Sequence, residues 1–192
     1  MELYNKLSAK QRAALIKKAG GKRLTLSFYK YHIIKNCELF RDHLYINWSE
    51  LDVLGRIYIA KEGINAQVSV ASENFEKFKK TIDQITFLNN VRLNIAIEHD
   101  NFSFLKLKRK LRKNIVADGL DSLNIDLNNN GEHLNAKDFN KMIESHETLL
   151  VDMRNHYESE IGHFQGAILP DVDSFRESLP IIEKTFEEHK KS

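Results

Sequence analysis

The chain has 192 residues, enough for one large domain or two small ones with cores of their own. With 42% hydrophobic and 29% charged residues it has the make-up of a soluble globular protein, and no apolar run approaches the ~18 residues a membrane span needs. A single cysteine, Cys37, excludes an internal disulfide and a thiolate metal site, and the first twenty residues lack a secretory apolar stretch, so a cytoplasmic location is expected. The net charge of +2 conceals a division: residues 1–116 carry 22 Lys and Arg against 11 Asp and Glu, residues 117–192 only 7 against 16. So sharp a split suggests two units, the first basic enough to attract a polyanion. Attraction between the two halves would explain the same numbers, and charge alone leaves both readings open.

In chain order, Ser8-x-x-Gln11 is a capping-box pattern and Gly20-Gly21 can close the helix it opens over about 9–19. Residues 24–31 alternate, with Leu24, Leu26 and Phe28 on one side and Thr25, Ser27, Tyr29 and Tyr31 on the other, which predicts a half-buried strand. Asn36 can cap a helix whose Cys37, Phe40, Leu44 and Trp48 share one face. Cys37 therefore reads as a small buried hydrophobe rather than a reactive thiol. A second strand over 53–60 turns Ile57 and Ile59 inward and Arg56 and Tyr58 outward. After a tight turn at Glu62-Gly63, a third strand sets Ile64, Ala66, Val68 and Val70 against Asn65, Gln67 and Ser69. Ser72 opens a helix that buries Phe75, Phe78, Ile82 and Ile85, and a fourth strand is expected to bury Val91, Leu93, Ile95 and Ile97 while showing Arg92, Asn94 and Glu98.

Strand-helix-strand-strand-helix-strand is the order of a ferredoxin-like α+β domain, in which both helices cover one side of an antiparallel sheet. The other side then displays tyrosines, arginines and amides, the side chains that single-stranded RNA readers use for stacking and edge hydrogen bonds. A sheet covered by another domain or by the N-terminal helix would show the same pattern. Residues 106–113 add six cations in eight positions, interleaved with Leu107 and Leu111, so the strip is expected to be an ordered strand suited to phosphate contacts. The candidate RNA contacts are Tyr29, Lys30, Tyr31, Arg56, Tyr58, Asn65, Gln67 and Arg92 on the sheet, with Lys106, Lys108, Arg109, Lys110, Arg112 and Lys113 on the strip.

The first domain is thus expected over 1–123, an Asn-rich linker at 124–131, and a second unit over 132–192. There Asn135 can cap a helix burying Phe139, Met142 and Ile143, and 148–154 reads as a short apolar strand ending in Asp152 and Arg154. His156 and His163 are poorly spaced for chelation and have no third partner, so no metal is expected. No dinucleotide fingerprint is present, and no organic cofactor is expected.

The string Val151-Asp-Met-Arg-Asn-His-Tyr-Glu-Ser-Glu-Ile-Gly-His-Phe-Gln-Gly-Ala-Ile168 resembles the opening of a rhodanese domain. Taken with Ser27-Phe-Tyr-Lys-Tyr31, Ala60-Lys-Glu-Gly-Ile-Asn-Ala-Gln67 and Lys110-Leu-Arg-Lys-Asn-Ile-Val-Ala-Asp-Gly119, it is similar, in the same order, to the rhodanese-like tRNA uridine(34) hydroxylase family. The resemblance implies an acylphosphatase-like (ferredoxin-type) domain followed by the beginning of an α/β rhodanese domain with Asp152, Arg154, Glu158 and His163 in its scaffold. It implies oxygen-dependent hydroxylation of the wobble uridine to 5-hydroxyuridine, with molecular oxygen as co-substrate and the tRNA anticodon arm as partner. It also implies a catalytic cysteine in a Cys-x-x-Gly-x-Arg loop, which is not in this sequence. The expectation is therefore a chain that stops short of that loop, inactive by itself, and completed by the rest of its rhodanese domain. Two other functions compete: a plain rhodanese sulfurtransferase, and a non-catalytic RNA-binding module.

Overall fold

The computed structural model describes residues 6–19, 21–97, 100–115, 131–145 and 147–187, and the chain falls into two units, Met1–Val116 and Ala117–Ser192. The linker expected at 124–131 lies, but for Gly131, outside the described residues.

In the first unit, helix α1 (Ala9–Ala19) opens on the expected capping box: the Ser8 N–H donates to Gln11 Oε1 at 2.9 Å and the Gln11 N–H to Ser8 Oγ at 3.2 Å. Strand β1 (Arg23–Tyr31) leads to α2 (Cys37–Glu50), whose first turn is held by Asn36 accepting from the Leu39 N–H at 2.9 Å. Strands β2 (Leu54–Ala60) and β3 (Gly63–Ala71) form the central hairpin. Gly63 has φ +153°, and a Cβ there would sit 2.2 Å from the Lys30 carbonyl oxygen, so only glycine fits where β3 passes β1. Helix α3 (Phe75–Asp83), β4 (Asn94–Ile95) and β5 (Leu107–Leu111) follow.

The sheet order is β4-β1-β3-β2-β5. Its first four strands are antiparallel, as a ferredoxin-like order requires, while β5 runs parallel to β2 along the outer edge. One side of the sheet (Leu26, Phe28, Ile57, Ile59, Ile64, Val68) packs on Leu44 and Trp48 of α2 and Phe78 and Ile82 of α3. Trp48 is fully buried, meets Phe28 and Phe78 edge-on, and donates its indole N–H to Thr81 Oγ1 at 3.0 Å. Cys37 is half-buried against the same core, and burial pushes its thiol pKa up, as fits a packing role.

The fourth strand departs from expectation. Only Asn94 and Ile95 join the ladder, Val91 and Leu93 are half-buried, and Ile95 and Ile97 are 47% and 100% exposed. As an edge strand it bonds to β1 alone, and the ladder ends at Ile95, before Ile97 is reached, while Leu88 on the turn after α3 is fully buried.

The second unit contains α4 (Ala136–Ile143), α5 (His156–Ile161) and α6 (Phe175–Thr185). Asn135 caps α4 as expected, accepting from the Lys137 and Asp138 N–H groups at 3.0 Å each. The strand expected over 148–154 is reduced to one parallel bridge, Val151 to Ile168. Met142, assigned to the core, is 49% exposed. No helix among the described residues is long and apolar enough to cross a membrane.

Candidate nucleic-acid interface

Strand register decides which side chains share the sheet side away from α2 and α3, because directly paired residues point the same way. One row crosses all five strands: Lys108, Arg56, Gln67, Ser27 and Asn94. The next holds Lys110, Tyr58, Asn65 and Tyr29, and Tyr31 lies one step further, opposite Gly63. Arg56, Gln67, Lys108 and Lys110 are exposed, Tyr29 is 52% exposed, and Tyr31, Tyr58 and Asn65 are half-buried. The rings of Tyr29 and Tyr31 meet edge-on with centroids 6.3 Å apart, and the Arg112 guanidinium stands 5.3 Å from the centre of the Tyr58 ring. Asn65 is partly engaged, since its amide donates to the Ile115 carbonyl at 3.4 Å while the Ile115 N–H donates to buried Glu62 at 2.7 Å.

This side is open at one end and closed at the other. Where β1 begins, Arg23 is 4% exposed and every arm of its guanidinium is used. Its Nε donates to Ser69 Oγ at 3.0 Å, Nη1 to Asp52 Oδ2 at 2.8 Å, and Nη2 to the carbonyls of Asp52 and Ser69 at 2.6 and 2.8 Å. Arg12 of α1 binds the other oxygen of Asp52 at 2.6 Å, tying the N-terminal helix to this end. Leu54 and Ser69 are buried there, so the covering helix offered as an alternative explanation accounts for this end and not for the tyrosine rows. Sequence periodicity does not reveal this network; its one signal is an arginine at the first outward position of β1.

The strip divides by parity. Lys108 and Lys110 join the open side, but Arg109 pairs with Ile57 and so faces the helices. Its guanidinium lies 3.5 Å from the centre of the Tyr45 ring, and burial lowers its pKa while Tyr45 and Asp42 act to raise it. The cations of the strip therefore do not share one side of the sheet. Lys30 pairs with core residue Ile64 and is likewise on the helix side, though exposed. Arg92 is exposed but precedes the short β4, outside the ladder. Lys106 is half-buried and its carbonyl accepts the Gly55 N–H at 3.0 Å, while Lys113 is exposed beyond the end of β5.

In the second unit, Arg154 forks onto both oxygens of Asp152, Nε to Oδ1 at 2.9 Å and Nη2 to Oδ2 at 2.6 Å, and reaches the Gly162 carbonyl at 2.6 Å. The Arg154 hydrogen bond pulls the Asp152 carboxyl below the ordinary carboxylate range and raises the Arg154 pKa in turn. Glu158 completes a capping box with Asn155 at the start of α5. His163 Nδ1 lies 2.8 Å from the Ser159 carbonyl. Asp152, Arg154 and His163 border a cavity of about 670 Å³ with Phe139, Phe164 and Gly162. Among the described residues no group of three or more His, Cys, Asp and Glu is arranged to hold a metal.

Sheet order and helix placement make the first unit an α+β domain of the acylphosphatase-like class, and residues 23–115 match the family model described as UPF0176 acylphosphatase like domain. Along most of its length the chain is similar to curated proteins named tRNA uridine(34) hydroxylase. It is 52% identical to that of Leptospira interrogans over 160 residues, 83% of this chain and 44% of the relative. It is 45% identical to that of Photorhabdus laumondii over 189 residues, 98% of this chain and 54% of the relative, and 46% identical to that of Yersinia enterocolitica over 180 residues, 93% and 51%. The resemblance carried by the four sequence blocks is thereby borne out: the chain is a relative of the tRNA uridine(34) hydroxylases and spans about half the length of the curated relatives it matches.

Proposed function

We propose that this chain serves the hydroxylation of uridine 34 in tRNA, oxygen-dependent and yielding 5-hydroxyuridine, with the first unit holding the anticodon arm. The observation that carries the reading is likeness to a tRNA uridine(34) hydroxylase extending over 98% of the chain and thus through both units. The open end of the sheet supports the RNA part of it, since tyrosines in register with arginine, lysine and amides suit unpaired bases and their phosphates. A sulfurtransferase acting on small anions would have no use for so broad a surface.

The second unit is read as rhodanese-like scaffold, in which the Asp152–Arg154 fork and the α5 capping box fix the turn around Gly162. The cysteine loop expected of the family is not among these 192 residues, so the chemistry is proposed for the whole protein and the grip for this chain. Molecular oxygen is the proposed co-substrate, tRNA the proposed partner, and the cytoplasm the proposed location.

Mass spectrometry of tRNA nucleosides tests the function. Deleting the gene in a strain without a second hydroxylation route removes 5-hydroxyuridine and modifications built on it, and unchanged levels would refute the reading.

A further inference from the structure

The cationic residues are not spread evenly over the open side. A cavity of about 230 Å³ is lined by Arg56, Tyr58, Lys108 and Lys110, all on β2 and β5. A neighbouring one of about 360 Å³ shares Arg56 and Lys108 and adds Phe102, Phe104 and Lys106. With those two residues in common they lie next to one another along the β2–β5 seam, the second reaching Ala9 of α1 at its far end. Parallel pairing with β5 creates the seam, because the register sets Lys108 beside Arg56 and Lys110 beside Tyr58.

Among the described residues, neither Arg56, Lys108 nor Lys110 is in an ion pair, whereas the cations Arg12, Arg23 and Arg41 each hold a carboxylate. Same-side residues on a strand stand about 7 Å apart. That matches the order of separation of successive phosphates in an extended nucleic-acid strand. The aromatic partner is also in place: Tyr58 is half-buried, and the Arg112 guanidinium stands over its ring at 5.3 Å from the centre.

We propose that single-stranded RNA runs along the β2–β5 seam, with phosphates on Arg56, Lys108 and Lys110 and a base stacked on Tyr58. The proposal rests on the RNA-gripping reading above and narrows it, since it makes the seam, and not the whole sheet side, the principal contact. Phosphate contacts of this kind release counterions, so affinity falls with salt by a slope of about 0.7 per contact on a single strand. Stacking on one aromatic ring contributes roughly a tenfold gain in affinity.

The test is fluorescence-anisotropy binding of the full chain to tRNA and to a short oligouridylate across a salt series. Arg56→Ala/Lys108→Ala/Lys110→Ala is expected to reduce the log–log salt slope by about 2. Tyr58→Ala is expected to lower affinity roughly tenfold at constant slope, with Tyr58→Phe restoring it. All four side chains reach the surface, and circular dichroism confirms folding of each variant. Lys77→Ala/Lys79→Ala/Lys80→Ala removes the same charge from α3 on the helix side and should leave the slope unchanged. Binding that persists with wild-type slope in the seam variant would overturn the seam while leaving the function standing. Equal losses in the seam and α3 variants would reduce the effect to net charge and overturn it as well. Tighter binding of polyglutamate than of oligouridylate would assign the seam to an acidic protein segment instead. No RNA binding by the wild-type chain even at low salt would overturn the RNA-gripping reading itself.

Discussion

The two units bury their apolar residues very differently. In the first, a continuous cluster from Leu26 to Leu107 is almost completely shielded, with Trp48, Phe28 and Phe78 at its centre. In the second, Val172 is the one described hydrophobic residue in the buried class, while Ile161 is 90% and Phe164 57% exposed. The difference teaches where order comes from in each. The first unit is held by burial, which is worth ~25 cal/mol per Å² of apolar surface. The second is held by local polar devices: the Asn135 cap, the capping boxes Asn155–Glu158 and Ser174–Glu177, and the Asp152–Arg154 fork.

The sharpest way to break this comparison is Trp48→Ala. The change opens a cavity against Phe28 and Phe78 and leaves Thr81 without its indole donor, so a loss of about 3–5 kcal/mol is expected in urea unfolding followed on the first unit. A loss below about 1 kcal/mol would mean that the core is not the source of stability. Next comes Asp52→Ala. It strips Arg23 of one charged partner and releases Arg12 of α1, but the Asp52 side chain is 40% exposed, so water replaces part of what is lost. About 1–2 kcal/mol is expected, with faster hydrogen exchange in α1.

A pH titration sharpens the other half of the comparison. Because the folded Asp152 carboxyl is held below its unfolded range, its contribution is present above the ordinary aspartate pKa and is lost as pH falls through the lowered value. Asp152→Asn should therefore flatten the acid limb of unfolding for the second unit, and an unchanged limb would show that the fork carries no linkage. The smallest effect belongs to Phe164→Ala. Its ring is tilted against Phe139 at 4.9 Å but is mostly in solvent, so about 0.5 kcal/mol or less is expected by thermal melting.

Much of the first unit was legible in the sequence because its signals are local or periodic. Capping at Ser8 and Asn36 needs only neighbours, and alternation over β1 and β3 reports directly which side faces the core. What escaped depends on partners distant in the chain. Ile97 alternates as well as Val70 does, yet the ladder with β1 ends before it. Arg109 belongs to the same cationic run as Lys108 and Lys110, and only pairing with β2 reveals that it faces the opposite way. Arg23 was invisible as a structural residue because its partners, Asp52 and Ser69, lie 29 and 46 positions away. In the second unit, residues 148–154 looked like a strand from their apolar run, but Val151 has a single bridging partner.

The central claim is that the sheet side bearing Tyr29, Tyr58 and Lys110 is where RNA lies. Crosslinking tRNA substituted with 4-thiouridine to the protein, followed by mass spectrometry of the attached peptides, measures this most directly. Crosslinks are expected on the β2 peptide that carries Tyr58 and on the β5 peptide that carries Lys108 and Lys110. Crosslinks confined to α2 and α3, on the opposite side of the sheet, would contradict it.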